Sequence, residues 1–404
     1  MIYRLLLRGS GLGAKFLLAL AIVDALGFQS MALYGIAVAL GVIASKALGL
    51  GFSSEINRRV SAGECDLRTV RRVLIFPICV AIAASLLSIT LTPMLGAGLS
   101  QPVVALIALT AATEYFSFEV NTLVFSAHRS LAGAVLMFTK TGAWALIACI
   151  GLWIGTISTI EQVLLLWVAS NVVVVAVGAL VLRRHVPPEG QKASLKLIWR
   201  LGVPFYMSAL LMSATQYADR FVLAYFVSAD ELGKYVLSWS VTNVIQTLTY
   251  SMVAVVALPS LARQASNLRG DFGIRNVFLN RWITRSLLVS LSLLVLILGF
   301  LALARQFAVE RPPLPDLQLS AILGVAFALR AVGDITMGGL IASKQRRAAI
   351  ASSVFVAAIS LPTYVVLIRT HGALGAAVAC AMTAALGVAA QSVALIAIKR
   401  DVTS

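Results

Sequence analysis

The chain has 404 residues, of which 60% are hydrophobic and only 12% charged, whereas soluble domains are roughly 45–50% apolar and about 25% charged. A chain this apolar cannot coat itself with a polar surface, which excludes a water-soluble globular protein and makes lipid its solvent. The net charge of +16 is scattered in runs of a few residues, which argues against nucleic-acid binding and for basic loops beside membrane spans.

Each crossing needs about 20 mostly apolar residues. In chain order, the apolar runs bounded by charges, prolines or glycines predict spans over 12–28, 31–51, 73–95, 103–126, 131–154 and 163–182. A polar break follows, and then spans over 201–226, 235–258, 283–304, 319–342, 349–368 and 373–398. The first run follows Arg4 and Arg8 as a signal peptide would, yet no small-residue cleavage site precedes the next run at Met31. It is therefore read as a span that stays in place.

Loop charge tests this count. With the N-terminus cytoplasmic, the inner segments hold 23 Lys and Arg, while the outer loops hold four, Lys234, Arg305, Arg311 and Arg369. One miscounted span would scramble that bias, so the expectation is about twelve transmembrane helices, both termini cytoplasmic, in a bacterial inner membrane. The irregular stretch with Pro187, Pro188 and Gly190 divides the spans six and six. This predicts an all-α polytopic membrane protein with an N-terminal lobe over 1–186, a cytoplasmic linker over 187–200 and a C-terminal lobe over 201–404. Because each half has an even number of spans, the halves are expected to be related by a parallel pseudo-repeat.

The second half carries Gly202-Val203-Pro204-Phe205, then Tyr217-Ala218-Asp219-Arg220-Phe221-Val222-Leu223, then Gly233-Lys234-Tyr235. The first half carries Gly49-Leu50-Gly51-Phe52 followed by Arg58 and Arg59. With the six-plus-six plan, this pattern resembles the polysaccharide flippases (Wzx type) of the multidrug/oligosaccharidyl-lipid/polysaccharide exporter superfamily. One departure is Asp24, where that family often has a basic residue. The resemblance implies two six-helix lobes that alternate between inward and outward states around a partly cationic cavity. It also implies a cargo, a polyprenyl-pyrophosphate-linked oligosaccharide, and partners such as a polysaccharide polymerase or chain-length protein.

Ionisable groups inside a bilayer cost several kcal/mol unless paired or wet, so each is a candidate site. Lys140, nine residues into span five, and Arg330, near the middle of span ten, are the expected cations for a pyrophosphate; a guanidinium matches phosphate oxygens bidentately. Lys15 and Lys46 sit near the cytoplasmic ends of their spans, where they either snorkel or line the inner mouth of the cavity. Asp334, four residues after Arg330, is placed to neutralise it. Glu114, central in span four, and Asp334 are the candidates for coupling to H⁺ or Na⁺. Thr215 and Asp219 on span seven, with Asn243, Gln246, Thr247 and Tyr250 along one face of span eight, form polar stripes suited to sugar hydroxyls or to interhelical bonding. Asp219 and Arg220 are expected near the outer end of span seven.

No enzyme motif is present, and the three histidines and four cysteines lack catalytic or metal-ligand spacing. The expectation is a transporter with no metal and no organic cofactor. The rival readings are an ion-coupled antiporter of cationic drugs from the same superfamily and, more remotely, a polysaccharide polymerase or ligase.

Overall fold

The computed structural model describes residues 2–91, 101–186, 194–254, 256–258, 260–261, 272–307, 314–342 and 345–401. All regular structure among them is helical. The chain divides into two compact units, Met1–Ser213 and Ala214–Ser404.

The first unit contains α1 (Ile2–Ala47), α2 (Phe52–Ser61), α3 (Leu67–Leu91), α4 (Gln101–Ser126) and α5 (Ser130–Phe138). A π-helical turn, Thr139–Ala143, joins α5 to α6 (Trp144–Trp153), and α7 (Ile160–His185) and the start of α8 (Leu195–Phe226) follow. The second unit holds the rest of α8 and α9 (Ala229–Thr249), which runs into a π-helical turn at Tyr250–Ala254. It is completed by α10 (Phe272–Phe307), α11 (Leu317–Ala342) and α12 (Arg346–Asp401).

Eight helices among the described residues are long and apolar enough to cross a bilayer. Two of them, Leu7–Ala47 and Arg347–Ile396, run for 41 and 50 residues, about twice what one crossing needs. Each is a pair of spans joined at a glycine. Gly27 has φ 81 and ψ 175, a region essentially closed to residues with a side chain. Gly372, with φ 55 and ψ −133, breaks α12 in the same way. Three residues on, a Cβ at Gly375 would collide with the Leu367 carbonyl, so glycine is what lets the two segments of α12 approach across their break. Counting α3 and α8, of 25 and 32 residues, the described residues hold about twelve membrane helices, as the sequence predicts.

The outward faces are those of a protein in lipid. Ile147, Leu180, Val295, Phe300 and Val366 are all exposed. Trp153 and Tyr225, at the C-terminal ends of α6 and α8, are 88% and 83% exposed, as amphipathic rings are in the headgroup belts.

Two details differ from the sequence reading. Helix α8 begins at Leu195, so residues 195–200 are helical rather than linker, and Pro204 lies well beyond the first turn. The hydrophobic face of residues 195–200 explains this, since Ile198 packs into a core with Ile56, Val124, Val174 and Leu182. Linker residues 187–193 and the expected end of span three, 92–95, lie outside the described residues.

The stretches that carry the family resemblance in the two halves meet within the first unit. Gly51 has φ 85, and a Cβ on it would stand 3.1 Å from the backbone nitrogen of Val203. Tyr206 Oη donates to the Ala47 carbonyl at 3.2 Å. Beside this contact, α2 turns Ile56 and Val60 into the core and chains its charges together. Arg58 Nε and Nη2 donate to the Glu55 carboxylate at 3.0 and 2.8 Å, and Arg59 Nε donates at 2.8 Å. These guanidiniums, Arg58 foremost, hold the Glu55 carboxyl below the usual carboxylate range.

Candidate functional site

The first unit gathers its membrane-embedded charges around α4. Glu114 receives Lys140 Nζ on Oε1 and the indole Nε1 of Trp167 on Oε2, the latter at 3.0 Å. The π-helical turn gives Lys140 this position. Its extra residue interrupts the regular helical ladder, and side chains take up the loosened carbonyls. Trp144 Nε1 donates to the Lys140 carbonyl at 2.8 Å, and Ser170 Oγ to the Thr139 carbonyl at 2.8 Å.

Two tryptophans brace the cluster. The rings of Trp144 and Trp167 stack at 5.0 Å with 6° between planes, and Tyr34 leans on Trp167 at 6.0 Å. Lys15 Nζ lies over the Trp167 ring, 5.5 Å from its centroid. On the next turn of α4, Phe118 offers its face to Lys46 Nζ at 4.3 Å and to Lys140 Nζ at 5.5 Å. Each such contact is worth about 0.5–2 kcal/mol, more as the cation is dried. Glu119 is buried beside them, and its Oε1 has no hydrogen-bond partner.

Lys15, Lys46 and Lys140 thus converge on the interior of one unit, and among the described residues only Lys140 has an ion pair. The Lys140–Glu114 pair is not sealed, since its side chains keep 9% and 13% of their surface accessible. Lys15 and Lys46 are half-buried and rest against the Trp167 and Phe118 rings. Lys140, expected as a cation for pyrophosphate, is paired here with a carboxylate from the neighbouring helix. Glu114 takes both of these partners from its own unit.

The second unit has a different interior. Asp219 is fully buried and accepts from Tyr235 Oη at 2.6 Å and from the Arg220 backbone N–H at 2.8 Å. Its carboxylate also interacts electrostatically with the Arg220 and Arg330 guanidiniums. Arg220 is 1% exposed and lies 4.1 Å above Trp239 and 5.0 Å above Tyr217. It is therefore a core residue and not an anchor at the membrane surface, because aromatic faces and Asp219 repay its desolvation inside. Asp219 likewise leaves the sugar-facing stripe expected for it.

Arg330 lies over Phe327 at 5.2 Å and makes no ion pair with Asp334 among the described residues. Its Nη1 is buried without a hydrogen-bond partner. Asp334 instead accepts from Gln246 Nε2 at 3.1 Å, and Gln246 Oε1 accepts from Gln216 at 3.4 Å. The Gln246 amide is thereby spent between helices. Thr247 Oγ1 donates back to the Asn243 carbonyl at 3.0 Å, while Asn243, Thr215 and Tyr250 are half-buried. Trp167, Trp144 and Phe118 were missed by sequence reasoning. An aromatic in an apolar span carries no signal of what its face will meet.

Among solved structures, the fold is similar to one described as a lipid II flippase MurJ in an inward-closed conformation, with TM-score 0.75 and 14% identity over 100% of this chain and 91% of that one. It is also similar to an inward-facing multidrug resistance MATE transporter of the MOP superfamily, with TM-score 0.71 and 17% identity over 98% and 99% of the two chains. A MOP superfamily transporter from Pyrococcus furiosus, whose binding pocket is described as reversed in polarity, matches with TM-score 0.67 and 17% identity over 100% and 95%. These identities speak for a shared fold. A search of curated protein sequences finds no significant match. The sequence model described as polysaccharide biosynthesis protein matches residues 26–304, and over that span of the chain it settles the family: this protein belongs to the polysaccharide biosynthesis proteins.

Proposed function

We propose that this chain is a flippase of the bacterial inner membrane. It moves a polyprenyl-pyrophosphate-linked oligosaccharide from the cytoplasmic to the periplasmic leaflet by alternating access, for an O-antigen, capsule or exopolysaccharide assembled by a polymerase. The single observation that supports this cargo is the convergence of Lys15, Lys46 and Lys140 on one stretch of α4, around Glu114 and Phe118, in the first unit. A diphosphate is drawn to ammonium groups held in a partly dehydrated interior, where charge–charge attraction is several times stronger than in water. The family match and the flippase named among the structural neighbours point the same way.

The antiporter reading has the MATE neighbours in its favour, but a cationic drug entering the first unit would meet three lysines. Deleting the gene and restoring it on a plasmid separates the two readings. The flippase account expects surface polymer to vanish on deletion and return on complementation, with lipid-linked oligosaccharide accumulating inside and efflux of cationic dyes unchanged. Normal polymer together with impaired dye efflux would establish the antiporter instead.

A further inference from the structure

We infer that Glu114 is a resident counter-ion that stands in for cargo phosphate on the lysine cluster and is displaced from it when cargo binds, taking up a proton as it leaves. The inference rests on the flippase reading and names how its site is regulated. Three elements packed on this part of α4 bear on Glu114, while α3 meets it with apolar side chains at Tyr115 and Phe116. The α5–α6 segment supplies Lys140, α7 supplies Trp167, and α1 supplies Lys15 across the Trp167 ring and Lys46 one turn away over Phe118. On α4 itself the nearest other acid is Glu119. From the side of α1 the fit is close, since a Cβ on Gly41 would come within 3.4 Å of Glu114 Cγ.

An empty cluster of three ammonium groups would repel itself. Glu114, facing Lys140 and Lys15, and Glu119, facing Lys46, supply the anions that let the unloaded protein hold them together. A phosphate oxygen that reaches Lys140 competes with Glu114 Oε1 for the same ammonium hydrogens. Carboxylate and diphosphate cannot both stay charged side by side in a partly dry interior without a large electrostatic penalty. The penalty is removed by moving one proton from solvent onto Glu114 Oε1. No bond to cargo forms, Lys140 remains an ammonium, and Oε2 can still accept from Trp167. Cargo release reverses the exchange: Glu114 gives up its proton and retakes Lys140, which restores the neutral pair for the return of the empty protein.

One proton taken up per cargo means that affinity rises about tenfold for each pH unit of acidification while Glu114 is ionised in the empty protein. The purified full chain in detergent is titrated with geranyl pyrophosphate in buffers of different ionisation enthalpy. The expected result for wild type is net uptake of about one proton per ligand. Glu114→Gln is expected to bind about tenfold more tightly than wild type at neutral pH and to lose that uptake. Wild-type binding with no proton uptake would overturn the counter-ion proposal while leaving the flippase reading in place, and so would equal or weaker binding by a folded Glu114→Gln. If wild type binds no geranyl pyrophosphate at any pH, the flippase reading itself fails. The wild-type proton count needs no variant, so the proposal remains testable if Glu114→Gln does not fold.

Discussion

Replacing Lys140 by alanine while Glu114 stays in place is expected to cost about 3–5 kcal/mol of stability, because it strands a carboxylate in the bundle. The remaining help is smaller: one indole N–H on Oε2 and the charge of Lys15, whose ammonium lies over that indole. Glu114→Gln is expected to cost less, about 1–3 kcal/mol, since the amide still offers Lys140 a carbonyl and Lys140 keeps the Phe118 face. The double variant Glu114→Gln/Lys140→Met removes both charges and fills the volume, and should recover to within about 1 kcal/mol of wild type. Thermal unfolding of the four proteins in one detergent gives the coupling directly. Additive losses would mean that the pair seen in the structure contributes nothing. The double variant then separates stability from function, because a folded protein without Lys140 should still fail to transport.

Asp219→Ala is the second large effect, again about 3–5 kcal/mol. The side chain is fully buried and is the acceptor for Tyr235, itself 0% exposed. It also offsets two guanidiniums in its surroundings. Asp219→Asn keeps an acceptor for Tyr235 and loses only charge, whereas Tyr235→Phe keeps the charge and loses one charge-assisted bond, worth about 1.5–3 kcal/mol. The expected order of melting temperatures is wild type, then the two conservative variants, then alanine well below. An alanine variant as stable as wild type would show that Asp219 is not the keystone of this interior.

Much of the fold was legible because membrane spans are set by length and flanking charge rather than by fine packing. The break at Gly372 falls between two expected spans, and that at Gly27 one residue before the expected end of the first, at backbone angles that only glycine tolerates. The early start of α8 was not legible, because Lys196 and Arg200 read as loop charge although Ile198 between them is fully buried. At the site, depth in the span singled out Lys140, Glu114 and Arg330. Which charge met which was invisible. Lys140 and Glu114 lie on different helices, and their meeting depends on a π-helical turn whose sequence, Thr-Lys-Thr-Gly-Ala, gives no sign of it. Arg330 and Asp334 show the converse. Their four-residue spacing predicted a pair, yet Gln246 on another helix took the acid. Arg220 lies near the end of α8 as expected, but its burial against Trp239 and Tyr217 was not legible, because position along a span does not say whether aromatic faces await a residue.

The most direct test of the account is translocation of a fluorescent polyprenyl-diphosphate oligosaccharide in reconstituted vesicles, read by quencher access to the outer leaflet. Lys15 and Lys46 are the residues to change, since among the described residues neither has an ion pair whose loss would unfold the unit. Losing a charged contact to phosphate is worth about 1.5–3 kcal/mol, so Lys15→Ala and Lys46→Ala should each slow translocation about tenfold or more, and the double variant further. A folded Lys15→Ala/Lys46→Ala protein that flips this lipid at the wild-type rate would contradict the claim that the lysine cluster receives the diphosphate.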